Sequence, residues 1–227
     1  MNHCAGFLPG GTVYGVLLNS AAEHAQWSAH MAQPPYLAPP KAPVLYIKTA
    51  NTWSPSGPAI ALPAELPELE IGATVAMLIG ASSGFGQPRQ GLARLAGYVL
   101  LNDLCVPHAS YFRPPVKYRC RDGLLGIGAR LVAPGQAGAP GALQLEVRVN
   151  GKLCQTVDFS HMLRDPERLL ADVGEFMTLG PGDLLMLGCD CLPDGSRPQA
   201  RAGDLIEISA ASNPAFGTLS NRLVAQA

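Results

Sequence analysis

The stretch from Glu68 to Gly80 constrains the fold more than any other part of the chain. Its side chains alternate between two faces with the period of two that is typical of a β-strand. One face is apolar throughout and is expected to lie on a core: Leu69, Ile71, Ala73, Val75, Met77 and Ile79. The other face begins polar and ends apolar, in the order Glu70, Gly72, Thr74, Ala76 and Leu78. The pattern therefore predicts a long strand that starts at a cleft and finishes inside the protein.

Short strands and few helices are predicted for the rest of the chain. Runs of β-branched and aromatic residues recur between turn residues, and Asn150-Gly151 predicts a two-residue hairpin turn. Three short helices are predicted: Ala21 to Met31, Pro88 to a C-cap at Gly97, and Pro166 to about Met177 with Asp165 as N-cap. No alternation of strands with helices appears. We therefore expect a mostly β (α+β) fold, with residues 1–11 as an N-terminal extension and 12–227 as a single domain.

Charge and composition exclude several classes of partner. The formal net charge is -1 and only 15% of the 227 residues are charged, so no basic surface for nucleic acid is expected. No apolar run reaches the ~20 residues of a membrane-spanning helix, and the first residues do not resemble a signal peptide. We therefore expect a cytoplasmic protein, and its six cysteines are predicted to be reduced structural thiols.

Several short motifs together resemble one enzyme superfamily. They are Tyr46-Ile47-Lys48 with Asn51-Thr52, Gly97-Tyr98, Asn102-Asp103, Tyr111-Phe112-Arg113-Pro114 and Arg121-Asp122-Gly123. In this combination the chain resembles the fumarylacetoacetate hydrolase superfamily from about Thr12 onward. The runs Ile71 to Ala76 and Lys117 to Gly123 are similar, more narrowly, to the N-terminal half of a duplicated isomerase/decarboxylase of 4-hydroxyphenylacetate (homoprotocatechuate) breakdown.

The resemblance implies a fold, a cofactor and a substrate class. The implied fold is a mixed β-sandwich roll that packs in pairs, and the implied cofactor is Mg²⁺ or Mn²⁺. The implied substrate is a small 2-oxo dicarboxylate or tricarboxylate. The implied reactions are decarboxylation of 5-oxopent-3-ene-1,2,5-tricarboxylate and ketonisation of 2-hydroxyhepta-2,4-dienedioate. The implied partner is a second copy of the chain or a paralogous C-terminal-type subunit.

The metal ligands of the superfamily carry over incompletely. Its aspartate ligand falls on Asp103, but its Glu-x-Glu pair falls on Gly72 and Thr74, neither of which offers the carboxylate oxygens that Mg²⁺ prefers. Glu70 lies roughly 7 Å from position 72 along the strand, so it cannot replace both glutamates. We therefore expect a degraded metal site with Asp103 as its remnant. On this view, Gly72→Glu with Thr74→Glu is expected to create or tighten divalent binding.

The remaining candidate site residues are mostly basic or amide side chains. The catalytic lysine of the superfamily falls on Arg119, which stays charged and is a poor proton shuttle. Lys48 and Asp122 are further catalytic candidates, although Lys48 could anchor a loop and Asp122 could form a turn. The candidates for substrate binding are Asn51, Arg113, Lys117 and Arg121.

The leading hypothesis is therefore a subunit of that isomerase/decarboxylase that lacks its own metal site. Two alternatives remain open. One is an active acylpyruvate-type hydrolase that uses Glu70, Asp103 and Arg119. The other is a binding or structural partner that captures dicarboxylates with the cationic loop from Arg113 to Arg121.

Overall fold

The computed structural model describes residues 6–80, 91–108 and 115–226. Within these ranges the chain forms fourteen strands: β1 (Val13–Leu17), β2 (Val44–Lys48), β3 (Trp53–Pro55), β4 (Ala59–Leu62), β5 (Leu69–Glu70), β6 (Ala73–Ile79), β7 (Leu95–Asn102), β8 (Leu125–Ile127), β9 (Gln144–Val149), β10 (Lys152–Asp158), β11 (Leu184–Met186), β12 (Gln199–Ala200), β13 (Leu205–Ala210) and β14 (Thr218–Ala225). The helices in the same ranges are α1 (Ala21–Met31), α2 (Val116–Arg119), α3 (Pro134–Ala137) and α4 (Pro166–Gly174). The predicted mostly β fold is confirmed.

Two mixed sheets form the body of the protein. The larger has seven strands in the order β2-β1-β11-β6-β7-β8-β3, and the smaller has five in the order β10-β9-β13-β14-β4. Most neighbours are antiparallel, but β1 with β11, β3 with β8, and β4 with β14 are parallel pairs. The main core contains buried residues from both sheets, such as Val75 and Leu100 from the larger and Val147 and Ile208 from the smaller. The sheets therefore enclose one hydrophobic core between them, as in a sandwich.

The long strand predicted from Glu68 to Gly80 is interrupted. It forms β5 and β6, separated by Ile71 and Gly72, because β5 pairs with β12 while β6 enters the large sheet between β11 and β7. The prediction of its apolar face is confirmed, since all six residues lie in the main core. Its second face is also buried, with Ala76 and Leu78 in a smaller cluster on the other side of the sheet.

Two of the three predicted helices are present. Helix α1 has the predicted bounds, and α4 begins after the predicted N-cap, Asp165, whose side chain accepts from the amide of Arg168. The third prediction is wrong within the described residues. There, residues 91–94 form a single 3-10 turn, and Gly97 lies inside β7 rather than at a helix end. The close approach of the Val132 carbonyl to Gly97 explains why a glycine is needed in the strand. No helix in the described part of the chain is long and apolar enough to cross a membrane.

Candidate functional site

Four polar side chains meet in the interior where β2, β7 and α2 end. Asp103 directly follows β7, Lys48 is the last residue of β2, Tyr46 lies two residues earlier on that strand, and Arg119 closes α2. Lys48 and Asp103 are 0% exposed, Arg119 is 1% exposed and Tyr46 is 8% exposed. We call these four residues the Asp103 cluster. Buried charges are rare unless they are paired, so the cluster is the first candidate for a functional site.

Each oxygen of the Asp103 carboxylate lies beside a cation, but among the described residues only Oδ2 accepts a hydrogen bond. The Lys48 Nζ lies 2.9 Å from Oδ1, and Arg119 Nη1 donates a 2.8 Å hydrogen bond to Oδ2. The Tyr46 hydroxyl donates a short hydrogen bond to the same Oδ2. The guanidinium of Arg119 also lies over the Tyr46 ring, 4.5 Å from its centroid, which is a cation–π arrangement. Two cations therefore surround one anion, and the cluster keeps one positive charge.

The alternation of β2 brings two members of the cluster together. Tyr46 and Lys48 point to the same face, whereas the intervening Ile47 is 48% exposed on the other. Across the sheet, Tyr46 is paired with Gly15 of β1, and a Cβ at Gly15 would collide with the tyrosine ring. Glycine at this position thus leaves room for the ring to lie across β1 and to reach Asp103.

Lys48 also holds the backbone around the cluster. Its ammonium group donates to the carbonyls of Leu104, Arg119 and Leu124 at 3.1, 2.6 and 2.7 Å. An ammonium has three N–H groups, so these bonds occupy all of them, and Lys48 acts on Asp103 through its charge. This predicted catalytic candidate is therefore fully bound inside the protein.

The residues present do not fit a divalent metal ion. A Cβ at Gly72 would lie 2.6 Å from the Asp103 carbonyl oxygen and 3.0 Å from Cys189 Sγ, so a side chain has no space there. The Thr74 hydroxyl donates a 2.6 Å hydrogen bond to the Gly188 carbonyl. No group of three or more His, Cys, Asp or Glu side chains within the described ranges is placed to hold a metal.

Electrostatics opposes a metal at the same place. Two unit charges of equal sign about 4 Å apart repel by about 4 kcal/mol at an effective dielectric constant near 20, and a dication doubles that repulsion. Lys48 and Arg119 would both repel an ion bound at Asp103. The described residues around Asp103 therefore do not fit the metal site that the resemblance implied.

The Asp103 carboxyl contributes to stability in a pH-dependent way. Burial acts to raise its pKa, but Lys48, Arg119 and the Tyr46 hydroxyl outweigh burial and lower the pKa to about 2 from the ordinary 3.8. Because the folded-state pKa lies below the unfolded one, the stabilisation of about 2 kcal/mol is complete above about pH 4 and is lost as the pH falls through about 2. Urea unfolding should therefore show that the stability gap between the wild type and Asp103→Asn narrows between about pH 5 and pH 2.5. A gap that stays constant over this range would contradict the ion-pair assignment.

The other predicted polar residues lie nearer the surface than the cluster, on α2 and in the turn that follows it or contacts it. Asn51 Nδ2 donates to Asp122 Oδ1 at 2.6 Å and to the Cys120 carbonyl at 3.1 Å. Arg121 forms a 2.5 Å ion pair with Glu65, and Lys117 is exposed. These contacts support the turn and loop-anchor interpretations of Asn51 and Asp122. Arg113 lies outside the described residues, so its predicted role in substrate binding stays a prediction.

Glu70 lies on β5, and its backbone pairs with that of Cys105, two residues after Asp103. Its Oε2 accepts a 3.4 Å hydrogen bond from the Cys105 thiol, and its side chain lines a cavity of about 210 Å³ together with His108 and Arg197. Burial raises the pKa of Cys105 to about 11 and lowers the pKa of His108. A thiol that stays protonated at neutral pH is not an activated nucleophile. Five of the six cysteines lie among the described residues and none of these five is in a disulfide there; that they are reduced structural thiols stays a prediction.

Sequence reasoning missed two features of the interior. Tyr46 was part of a motif but received no role, although its spacing from Lys48 places both side chains on one face. A second buried ion pair joins Arg197 and Glu23 at 2.7 Å. The Glu23 partner could not be found from spacing, because 174 residues separate the two.

Comparison with known proteins assigns the chain to one family. A sequence model of the fumarylacetoacetate (FAA) hydrolase C-terminal domain matches residues 12–224. The chain belongs to the fumarylacetoacetate hydrolase family. The resemblance seen in the short motifs is therefore confirmed, and so is the family's mixed β-sandwich roll.

The curated relatives include enzymes of aromatic catabolism. The chain is 34% identical over 216 residues to the 4-hydroxyphenylacetate degradation bifunctional isomerase/decarboxylase of Salmonella dublin. That alignment covers 95% of the chain but 48% of the relative. The corresponding Escherichia coli enzyme is 33% identical over 208 residues, which are 90% of the chain and 46% of the relative. The chain thus spans about half the length of these curated relatives.

Solved structures support the fold. The fumarylpyruvate hydrolase of Pseudomonas aeruginosa, in complex with Mn²⁺ and pyruvate, superposes with a TM-score of 0.76 at 20% identity and covers 100% of this chain and 94% of its own. The 2-hydroxyhepta-2,4-diene-1,7-dioate isomerase of Mycobacterium marinum superposes with a TM-score of 0.72 at 22% identity. That superposition covers 97% of this chain and 77% of the isomerase chain. A divalent metal is therefore found in the family, whereas the Asp103 cluster of this chain leaves no place for one.

Proposed function

We propose that this chain is a unit of a 4-hydroxyphenylacetate (homoprotocatechuate) isomerase/decarboxylase that binds no metal of its own. It would work beside a second fumarylacetoacetate hydrolase unit that carries the metal carboxylates, in the same polypeptide or in another. The relatives named above support the pathway, and their double length supports a second unit.

The occupied state of Asp103 is the observation that carries this proposal. A metal-binding unit needs its aspartate free to face an ion, but here Lys48 and Arg119 hold it on both oxygens. The neighbouring positions Gly72 and Thr74 are closed by backbone contact and by a hydrogen bond. The chain would therefore stabilise and align its partner unit rather than supply the electron sink for decarboxylation.

The proposed assembly is a cytoplasmic dimer, or a multiple of a dimer, of paired units. Its substrates would be the 2-oxo acids 5-oxopent-3-ene-1,2,5-tricarboxylate and 2-hydroxyhepta-2,4-diene-1,7-dioate, bound at the second unit with Mg²⁺ or Mn²⁺. For this chain, Arg113, Lys117 and Arg121 remain proposed contacts to the anionic substrate held at the second unit. Arg121 would have to leave its ion pair with Glu65 to make that contact, and Arg119 acts in the cluster.

Calorimetry and a steady-state assay test the proposal directly. The purified chain is titrated with MgCl₂ and with MnCl₂ and is then assayed with both intermediates, alone and with a metal-bearing paralogue. We expect no micromolar binding and no turnover by the chain alone, and turnover in the mixture. Micromolar binding of either ion by the isolated chain would refute the metal-free assignment.

The double variant that places glutamates at positions 72 and 74 is expected not to bind a divalent ion, whereas the sequence alone led us to expect binding. In Gly72→Glu with Thr74→Glu, the new Cβ at 72 meets the Asp103 carbonyl at 2.6 Å, and the cations of the cluster still repel an ion. We therefore expect no micromolar Mg²⁺ or Mn²⁺ binding and a loss of stability of about 1–3 kcal/mol from overpacking. Titration calorimetry and urea unfolding of the double variant measure both quantities. A folded double variant that binds either ion tightly would show that the cluster yields to a metal.

The two alternative functions receive less support from the geometry. An acylpyruvate-type hydrolase built on Glu70, Asp103 and Arg119 would need Glu70 beside Asp103, whereas Glu70 faces Cys105. A dicarboxylate-binding loop would need unpaired cations, whereas Arg119 and Arg121 already have carboxylate partners.

A further inference from the structure

A second pocket lies at the opposite end of β2 from the Asp103 cluster. It has a volume of about 380 Å³, and its wall includes Leu17, Val44, Leu163, Arg164, Arg168 and Asp172. Val44 and Lys48 are separated by about 13 Å along the strand. The pocket therefore lies away from the Lys48 end of β2, although Tyr46 of the cluster packs with Leu17, Leu18 and Val44. Its volume is within the ~300–1,000 Å³ that is common for small-molecule sites.

Two arginines of this pocket share a single carboxylate. Arg164 Nε lies 2.8 Å from Asp172 Oδ2, and Arg168 Nε lies 2.6 Å from Oδ1. The Asp172 side chain is 9% exposed, whereas those of Arg164 and Arg168 are 20% and 68% exposed. Arg164 Nη2 also donates to the Lys41 carbonyl at 3.1 Å. A nearly buried aspartate therefore fixes the orientation of two guanidinium groups at the edge of the pocket.

After these contacts, several guanidinium N–H groups and one positive charge remain available in the pocket. Within the described residues, neither terminal nitrogen of Arg168 has a hydrogen-bond partner, and Nη1 of Arg164 has none. One arginine would be enough to neutralise Asp172. The second gives the pocket a net positive charge and terminal N–H groups of the kind that bind a carboxylate in a fork.

Part of the pocket wall is apolar. Ala42, Val44 and Leu163 offer hydrocarbon surface in the same pocket as the arginines, and Leu163 is 46% exposed. An inorganic anion would contact only the arginines at the edge of the pocket, whereas an organic acid would contact both the arginines and the apolar part of the wall. The combination therefore selects for a carboxylate that carries a short apolar chain.

The backbone at the pocket is held in an uncommon conformation. Leu18 has φ +59°, a value that is rare for a bulky residue, and its amide donates a 2.8 Å hydrogen bond to Glu23 Oε2. Such strain of about 1–3 kcal/mol persists where surrounding contacts enforce it, commonly at binding sites. Here it orients the turn after β1 so that Leu17 and Leu18 both line the pocket.

We propose that this pocket binds a small organic monocarboxylate, with the carboxylate on the terminal nitrogens of Arg164 and Arg168 and the alkyl chain on Val44 and Leu163. The site uses neither the Asp103 carboxylate nor the metal-bearing unit proposed above. It can therefore be tested on the chain alone.

Titration calorimetry of the full chain with pentanoate tests the site, with acetate, inorganic phosphate and chloride as comparison anions. Pentanoate should bind more tightly than the other three. Arg168→Gln should weaken pentanoate binding by about tenfold or more, because it removes a charge-assisted pair of hydrogen bonds. Leu163→Ser should weaken pentanoate binding and leave acetate binding unchanged.

Arg201→Gln is the matched control, because Arg201 is similarly exposed, at 73%, and also pairs with one carboxylate, that of Glu68. It should leave pentanoate binding unchanged. The proposal is overturned if Arg168→Gln retains wild-type affinity, if Arg201→Gln loses as much as Arg168→Gln, or if phosphate or chloride displaces pentanoate at equal concentration. Thermal unfolding confirms that each variant is folded before titration.

Discussion

Asp103→Asn is expected to lower the free energy of unfolding by about 3–5 kcal/mol at neutral pH, because it leaves two buried cations without their counter-ion. Asparagine keeps the shape of the side chain and can still accept the hydrogen bond from the Tyr46 hydroxyl. The loss of unfolding free energy therefore measures the effect of the removed charge and not a change in packing. A domain is stable by only about 5–15 kcal/mol, so the variant should approach the limit of folding. Equilibrium unfolding in urea measures the loss.

Arg119→Met is the informative comparison for that variant. It leaves Lys48 and Asp103 as a neutral pair, and its methionine fills the volume of the arginine stem. It also removes the buried Arg119 Nε, which has no hydrogen-bond partner among the described residues. We therefore expect a loss below about 2 kcal/mol, since Asp103 keeps Lys48 as its counter-ion and no uncompensated charge is left buried.

Asp122→Asn serves as the surface control, because Asp122 is exposed and should change stability by less than about 0.5 kcal/mol. A larger loss for Arg119→Met than for Asp103→Asn would contradict the account of the cluster as one anion serving two cations.

The sequence predicts the fold better than it predicts the site. Alternation along residues 69–79 is a local signal, and it correctly assigned which side chains face the main core. The break at Gly72 is not local. It arises because β5 and β6 pair with different strands, while the amide of Asp103 donates to the Gly72 carbonyl at 2.8 Å. No pattern within the stretch itself carries that information.

The residues around Asp103 show the same limit of prediction from local sequence patterns. Sequence reasoning found that Gly72 and Thr74 lack carboxylates, and it inferred an emptied site that two substitutions could refill. It could not show that Lys48 and Arg119, 55 and 16 residues away from Asp103, fill the space with charge. Long-range pairing of this kind depends on how three elements end at one point, and motif spacing does not encode it. The Arg168–Asp172 pair at the second pocket is different, because its i,i+4 spacing on α4 is a local pattern that a sequence can show.

Lys48→Met is the second variant expected to have a large effect, for a different physical reason. The remaining Arg119 still balances Asp103, so charge alone predicts a small loss. However, Lys48 also donates to three backbone carbonyls, and methionine of similar length satisfies none of them. A buried acceptor that loses its partner costs about 1–3 kcal/mol, and part of this cost is recovered where the loop relaxes towards water. We therefore expect a total loss of about 3–5 kcal/mol in urea unfolding.

The location of the damage distinguishes this explanation from a simple loss of charge. The three carbonyls belong to Leu104, Arg119 and Leu124, which flank the segment between β7 and β8. Native-state hydrogen exchange of Lys48→Met should therefore show faster exchange at the amides of Val106 and Cys120, both of which are hydrogen-bonded within that segment. Amides of the β9–β10 hairpin, on the far edge of the smaller sheet, should keep their protection relative to global unfolding. Uniform acceleration across both regions would mean that Lys48 acts only through global stability, and that its carbonyl contacts do not hold this segment in place.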